Sequence, residues 1–207
     1  MKTFITFSPQ QKEGFLHSSS YVPQGNTKLQ YGSTRFPIMT AINGYTNPGE
    51  EIRVIVICQD YEWCRHNLNY LRQELEALFA EKGLRSAAPN GDLYELVEVA
   101  YDDAVSSHLD TFQKLIDAIH DGDDIHACIT YGSKPAPMVE MMALRYARQF
   151  KKDIYISCIV YGQFDHTAKE SRIYDETALV HLDDIVRVLA QTGAPNPGQV
   201  LKNIIGM

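Results

Sequence analysis

The stretch Ile125–Gln149, IHACITYGSKPAPMVEMMALRYARQ, decides the fold. It opens on an apolar, strand-like run, Ile125–Thr130, and breaks at Tyr131-Gly132-Ser133-Lys134-Pro135. From Pro137 to Phe150 it places Met138, Met141, Met142, Leu144, Tyr146 and Ala147 at helical spacing. The spacing predicts a strand, a tight turn and a helix. Gly132 lets the backbone approach a ligand closely, Ser133 offers a hydroxyl and Lys134 a positive charge. Pro135 or Pro137 can open a helix whose unpaired N–H groups and dipole favour an anion. A sharp strand-to-helix turn with a solvated lysine is the competing reading of the same residues. Neither the Gly-x4-Gly-Lys-Ser/Thr spacing nor Gly-x-Gly-x-x-Gly occurs, which removes most support from ordinary ATPase and NAD readings.

Outward from this stretch, three more runs of β-branched and apolar residues stand out, Thr3–Phe7, Ile52–Cys58 and Ile154–Tyr161, with a weaker one at Leu93–Val99. Several are apolar at consecutive positions, as strands covered on both faces are. Between them, Glu62–Lys82 carries Leu68, Leu71, Leu75, Leu78 and Phe79 on one stripe and ends at Gly83, a helix C-cap. Ser107–His120 carries Leu109, Phe112, Leu115, Ile116 and Ile119, with Ser106 or Ser107 as cap. Phe36–Tyr45 is also helix-like. Strands alternating with helices predict an α/β, Rossmann-like three-layer sandwich with a mostly parallel central sheet. After Tyr161 the pattern predicts a short hairpin, Ser171–Tyr174 with Ala178–Leu182, and a last helix, Asp183–Gln191. One domain is expected over 1–191. Residues 192–207 read as a Pro/Gly-rich linker and tail, pointing to a docking segment or to the start of a further effector domain.

Hydrophobic residues at 44% and charged residues at 22% are ordinary for a globular chain of 207 residues. A net charge of −7 argues against a broad surface that wraps duplex nucleic acid. Cys58, Cys64, Cys128 and Cys158 form no CxxC pair, and the seven histidines form no HxH or HxxxH spacing, so neither a metal nor a cofactor is expected. Reduced thiols, no signal peptide and no membrane-spanning run predict a cytoplasmic protein. Asp102-Asp103 and Asp121–Asp124 read as solvated turns.

In an open parallel sheet, ligands bind outside the carboxyl ends of the strands. The candidates there are Ser8 and Gln10 after the first strand, Gln59 after the second, and Thr130, Tyr131, Gly132, Ser133 and Lys134 with Met138 after the fourth. The long polar segment Gly14–Ser33 is a candidate lid, whose Tyr21 or Tyr31 could stack on a base or simply pack the loop down.

Phe4-Ile5-Thr6-Phe7-Ser8, the run Ile129–Met138 and the following helix Glu140–Ala147 together resemble the CRISPR-associated Rossmann fold (CARF) family, the sensor domains of type III CRISPR systems. Thr130, Gly132, Lys134 and Pro137 match its D-x-T-x-G-x-[KR]-x-x-P segment, with Cys128 at the aspartate's place, and Ala143–Tyr146 matches its ALRY helix. The resemblance implies a homodimer around one two-fold-symmetric cyclic tetra- or hexa-adenylate, controlling a C-terminal or separate effector in antiviral defence. It implies that Ser8 and Gln10 contact ribose or phosphate, that Gly132, Ser133 and Lys134 hold phosphate, and that adenines lie near Gln59 and Met138. The alternative it allows is a metal-independent ring nuclease using Lys134 and Ser133.

Overall fold

The computed structural model describes residues 1–165 and 170–205. His166, one of the seven histidines, and the last two residues of the expected tail lie outside the described residues. In chain order the elements are β1 (Lys2–Phe7), β2 (Ser19–Gln24), β3 (Ser33–Thr34), α1 (Ile38–Tyr45), β4 (Glu51–Gln59), α2 (Glu62–Lys82), β5 (Arg85–Ser86) and β6 (Glu95–Val99). They continue with α3 (Val105–Ala118), β7 (Asp124–Cys128), α4 (Ala136–Phe150), β8 (Tyr155–Asp165), β9 (Glu170–Asp175), α5 (Thr177–Thr192) and α6 (Pro197–Ile205).

The fold is the α/β, Rossmann-like sandwich expected. Five strands run parallel in the order β6-β4-β1-β7-β8, and β9 joins β8 antiparallel. The consecutive apolar residues explain the parallel centre: Val54–Ile57 and Ile125–Cys128 are buried at every position, since helices cover both faces. On one face, α1 packs against β1, β7 and β8, and Lys82 at the end of α2 donates to the Asn43 and Thr46 carbonyls at 2.5 and 2.7 Å. On the other, α3 packs on α4, and α5 is tied to α4 by Arg145 and Arg148 with Asp183 and Asp184. Gly83 at φ +63° closes α2 in the left-handed conformation that the sequence predicts.

Four expectations are corrected. Ala178–Leu182 is the first turn of α5, not a strand. Asp175 Oδ1 accepts the Thr177 backbone N–H (3.0 Å) and hydroxyl (2.5 Å), which starts the helix there, and the hairpin partner of β9 is β8. Second, the segment read as a lid contributes β2, which extends the sheet beside β9, so only its first part can cover the carboxyl edge. Third, α3 starts two residues early, and Asp102 rather than Ser106 or Ser107 serves its start by accepting the Ala104 N–H at 2.8 Å. Fourth, Asp123 is buried. It accepts from Arg53 at 2.5 Å, from the Thr3 hydroxyl at 2.9 Å and from the His120 amide at 2.8 Å, closing the amino-terminal end of the sheet. The tail after Asn196 is helical as α6.

Candidate anion-binding site

The crossover from β1 leads through α1 to β4 on one side, and that from β7 leads through α4 to β8 on the other. The crevice between β1 and β7 is therefore the topological switch point, where a sheet of this kind opens to ligands. The loop Ile129–Pro135 lies there. Its shape depends on Gly132, whose φ is +104°. A Cβ on it would fall 2.7 Å from Ala136 Cβ and 3.2 Å from Phe7 Cγ, so no side chain fits without displacing α4 or β1.

Neighbouring residues clamp this loop from below. The Thr130 hydroxyl accepts the Gly162 N–H at 2.8 Å, fastening the loop to β8. Tyr131 points inward and donates to the Arg35 carbonyl at 2.6 Å, while burial pushes its phenol well above the usual range. Arg35 is in turn paired with Glu74 of α2 at 3.0 Å. Thr130 and Tyr131 thus shape the loop. Lys134 is exposed, and neither its ammonium nor the Ser133 hydroxyl has a protein partner among the described residues.

The start of α4 differs from the sequence expectation. Pro135 and Pro137 have no N–H. The amides of Ala136 and Met138 are taken by the carbonyls of Ser133 at 2.9 Å and Pro135 at 3.0 Å. The helix end offers an anion its dipole but almost no donors. Amides that form no hydrogen bond among the described residues belong to the loop itself, at Tyr131, Gly132 and Lys134. An anion would therefore be met by loop amides, the Ser133 hydroxyl and the Lys134 ammonium.

Three predicted residues come together in one contact. Gln59 Oε1 accepts Gln10 Nε2 at 2.5 Å and the Ser133 amide at 3.2 Å, joining the loops after β1, β4 and β7. Asn67 on the buried face of α2 completes this anchoring by donating to the Pro9 and Gln11 carbonyls, both at 2.9 Å. Asn67 was not foreseen, although a polar residue next to Leu68 in an apolar helical stripe is a visible signal. Ser8 is buried and donates to the Cys64 carbonyl at 2.6 Å, so its hydroxyl serves the loop rather than a ligand. Met138 stands on the outer side of α4.

Beside the loop, toward β8, opens a cavity of about 360 Å³ whose walls include Phe15, His17, Tyr21, Thr130, Tyr131 and Phe164. Tyr21, raised to about 12 chiefly by burial, stays a neutral phenol that presents a ring to this space. Tyr21 and Tyr31 both pack against the core, and of the two only Tyr21 lines this cavity. The thiols are no nucleophiles: burial raises Cys58 and Cys128 to about 11 and Cys64 and Cys158 to about 12. Glu140, one turn into α4, is fully buried with no partner for either oxygen, and burial pushes its carboxyl well up. Among the described residues no cluster of histidine, cysteine and acidic groups could hold a metal ion, and no helix is long and apolar enough to cross a membrane.

The fold is that of a Rossmann-like domain whose switch point carries the glycine-turned loop Ile129–Pro135. No protein-family model matches the chain, and no curated protein is significantly similar to it in sequence.

Proposed function

We propose that this chain is a cytoplasmic CARF-like sensor domain that binds a cyclic oligoadenylate, tetra- or hexa-adenylate, and controls an effector in antiviral defence. The observation that carries the reading is the loop Gly132–Lys134. The Gly132 and Lys134 amides, the Ser133 hydroxyl and the Lys134 ammonium, none with a partner among the described residues, lie in one loop at the switch point of the sheet. That set suits a phosphodiester, whose single charge is spread over two oxygens. The cavity beside Tyr21 has room and aromatic walls for a base, which makes it a second candidate adenine site beside the surroundings of Gln59 and Met138.

A two-fold ligand calls for a second copy. Met138, Met142, Tyr146 and Phe150 follow one another at four-residue intervals on the exposed side of α4, beside Val105 and Leu109 of α3. This apolar stripe begins one turn from the anion loop, which favours an isologous dimer with both loops near its axis. Ring cleavage by Lys134 and Ser133 is the second reading, favoured by the absence of any protein partner for either side chain among the described residues.

Incubation with labelled cyclic tetra- and hexa-adenylate, followed by titration and chromatography, tests both. Binding of one ring per two chains that is lost in Lys134→Ala, with the ring intact, supports the sensor. Linear products that vanish in Ser133→Ala and Lys134→Ala support the ring nuclease. Failure to bind either ring overturns both readings.

A further inference from the structure

On the side of the loop away from the Tyr21 cavity, a narrow cleft opens between the starts of α3 and α4, at the carboxyl ends of β1, β4 and β6. Phe7, Val99 and Val139 give it apolar walls, and Gln59, His108 and Ser133 polar ones. Its volume of about 10 Å³ admits a single oxygen atom with its hydrogen, but neither a phosphate nor a base. Gln59 is only 5% exposed, and its Oε1 already accepts from Gln10 and from the Ser133 amide. What it has left is the pair of N–H donors on Nε2, which find no partner among the described residues. The half-buried His108 ring forms no hydrogen bond among them either, and a neutral imidazole keeps one nitrogen as acceptor. Two neighbouring hydroxyls are committed: Thr111 donates to the Ser107 carbonyl at 2.9 Å, and Ser107 donates to Asp102.

The cleft thus combines a donor and an acceptor around room for one oxygen. A hydroxyl group suits both, because its oxygen accepts while its hydrogen is donated. Ser133 belongs to this cleft and to the anion loop, so a hydroxyl held here lies beside a phosphate held there. A ribose carrying a 3′-phosphate has that arrangement, its 2′-hydroxyl being on the adjoining carbon. We propose that Gln59 and His108 read the 2′-hydroxyl of a ribonucleotide whose phosphate lies on the Gly132–Lys134 loop, so that the site takes ribose in preference to deoxyribose. This rests on the phosphate reading of that loop and adds the sugar to it. The ribose contact expected of Ser8 moves to these two residues, since the Ser8 hydroxyl is turned to the Cys64 carbonyl.

The test compares cyclic tetra- and hexa-adenylate with their 2′-fluoro analogues, which keep the ribose pucker but cannot donate to His108, binding being measured before any cleavage. The wild type is expected to bind the hydroxyl form roughly fivefold or more tightly, the scale of one hydrogen bond at a partly buried site. His108→Phe, at a half-buried position, should bring the ratio close to one, whereas His108→Gln keeps an acceptor and should hold the preference. A wild-type ratio near one, a ratio unchanged in His108→Phe, or its loss in His108→Gln as complete as in His108→Phe overturns the proposal. If the wild type binds neither ring, the sensor reading fails on its own. The cleft is then judged with adenosine 3′-monophosphate and its 2′-fluoro analogue. A preference for the hydroxyl that disappears in His108→Phe sustains the proposal; no preference, or no binding, overturns it.

Discussion

At the amino-terminal end of the strands, Arg53, Asp123, Thr3 and His120 close on one another. At the carboxyl end, the Lys134 ammonium and the Ser133 hydroxyl stand without a partner among the described residues. Both ends gather polar groups from several elements, but at the carboxyl end some of them are left without a protein partner among the described residues. Arg53 and Asp123 are almost fully buried, so their pairing offsets a desolvation cost that neither could bear alone. Lys134 is in water and bears no such cost. The difference separates groups that hold the molecule together from groups free to act.

The largest effect should come from breaking the closed end. Asp123→Ala leaves the buried Arg53 guanidinium only the more distant Glu95 carboxylate, at 4.0 Å, and is expected to cost about 3–5 kcal/mol in urea unfolding. Ligand binding by the folded fraction should not change. A loss under about 1 kcal/mol would show that water reaches Arg53 and that the two ends are less different than described.

A smaller effect of opposite sign is expected at Glu140, which lies under the open end. Its carboxyl is raised by burial, so above the ordinary glutamate value of about 4.3 the unfolded chain sheds a proton that the folded chain keeps. Stability contributed below that value is lost as pH rises toward the folded-state value. Glu140→Gln should remove this slope and stabilise the protein at pH 8 by roughly 1–3 kcal/mol relative to pH 4. Urea midpoints at the two pH values measure it, and equal slopes in both proteins would refute the assignment. The smallest effect sharpens the contrast most: Lys134→Ala should alter unfolding stability by less than about 0.5 kcal/mol while abolishing ring binding.

Elements with a strong local period were legible in the sequence. The stripe from Leu68 to Phe79 and the Gly83 cap define α2 without reference to any partner, and the apolar runs mark the parallel strands. Ala178–Leu182 was not legible, because five residues cannot separate a period of two from one of 3.6; the Asp175–Thr177 contact that starts α5 is a matter of side-chain geometry. The site divides in the same way. Gly132, Ser133 and Lys134 follow from local chemistry at a strand end. The contacts of Gln59 with Gln10 and Ser133 span 49 and 74 residues and appear only once the strands are placed side by side. Ser8 was read as a ligand contact because position alone cannot tell a hydroxyl that faces the crevice from one that faces the Cys64 carbonyl.

The two prolines at the start of α4 have a kinetic consequence. A helix dipole acts over several ångströms and speeds the arrival of an anion, whereas amide donors act at contact and slow its departure. With Pro135 and Pro137 in place and the Ala136 and Met138 amides already taken, α4 contributes to arrival and almost nothing to retention. On the proposed reading, residence time belongs to the loop amides and the Lys134 ammonium, so changes confined to the loop amides alter retention while the contribution of the α4 dipole to arrival stays the same.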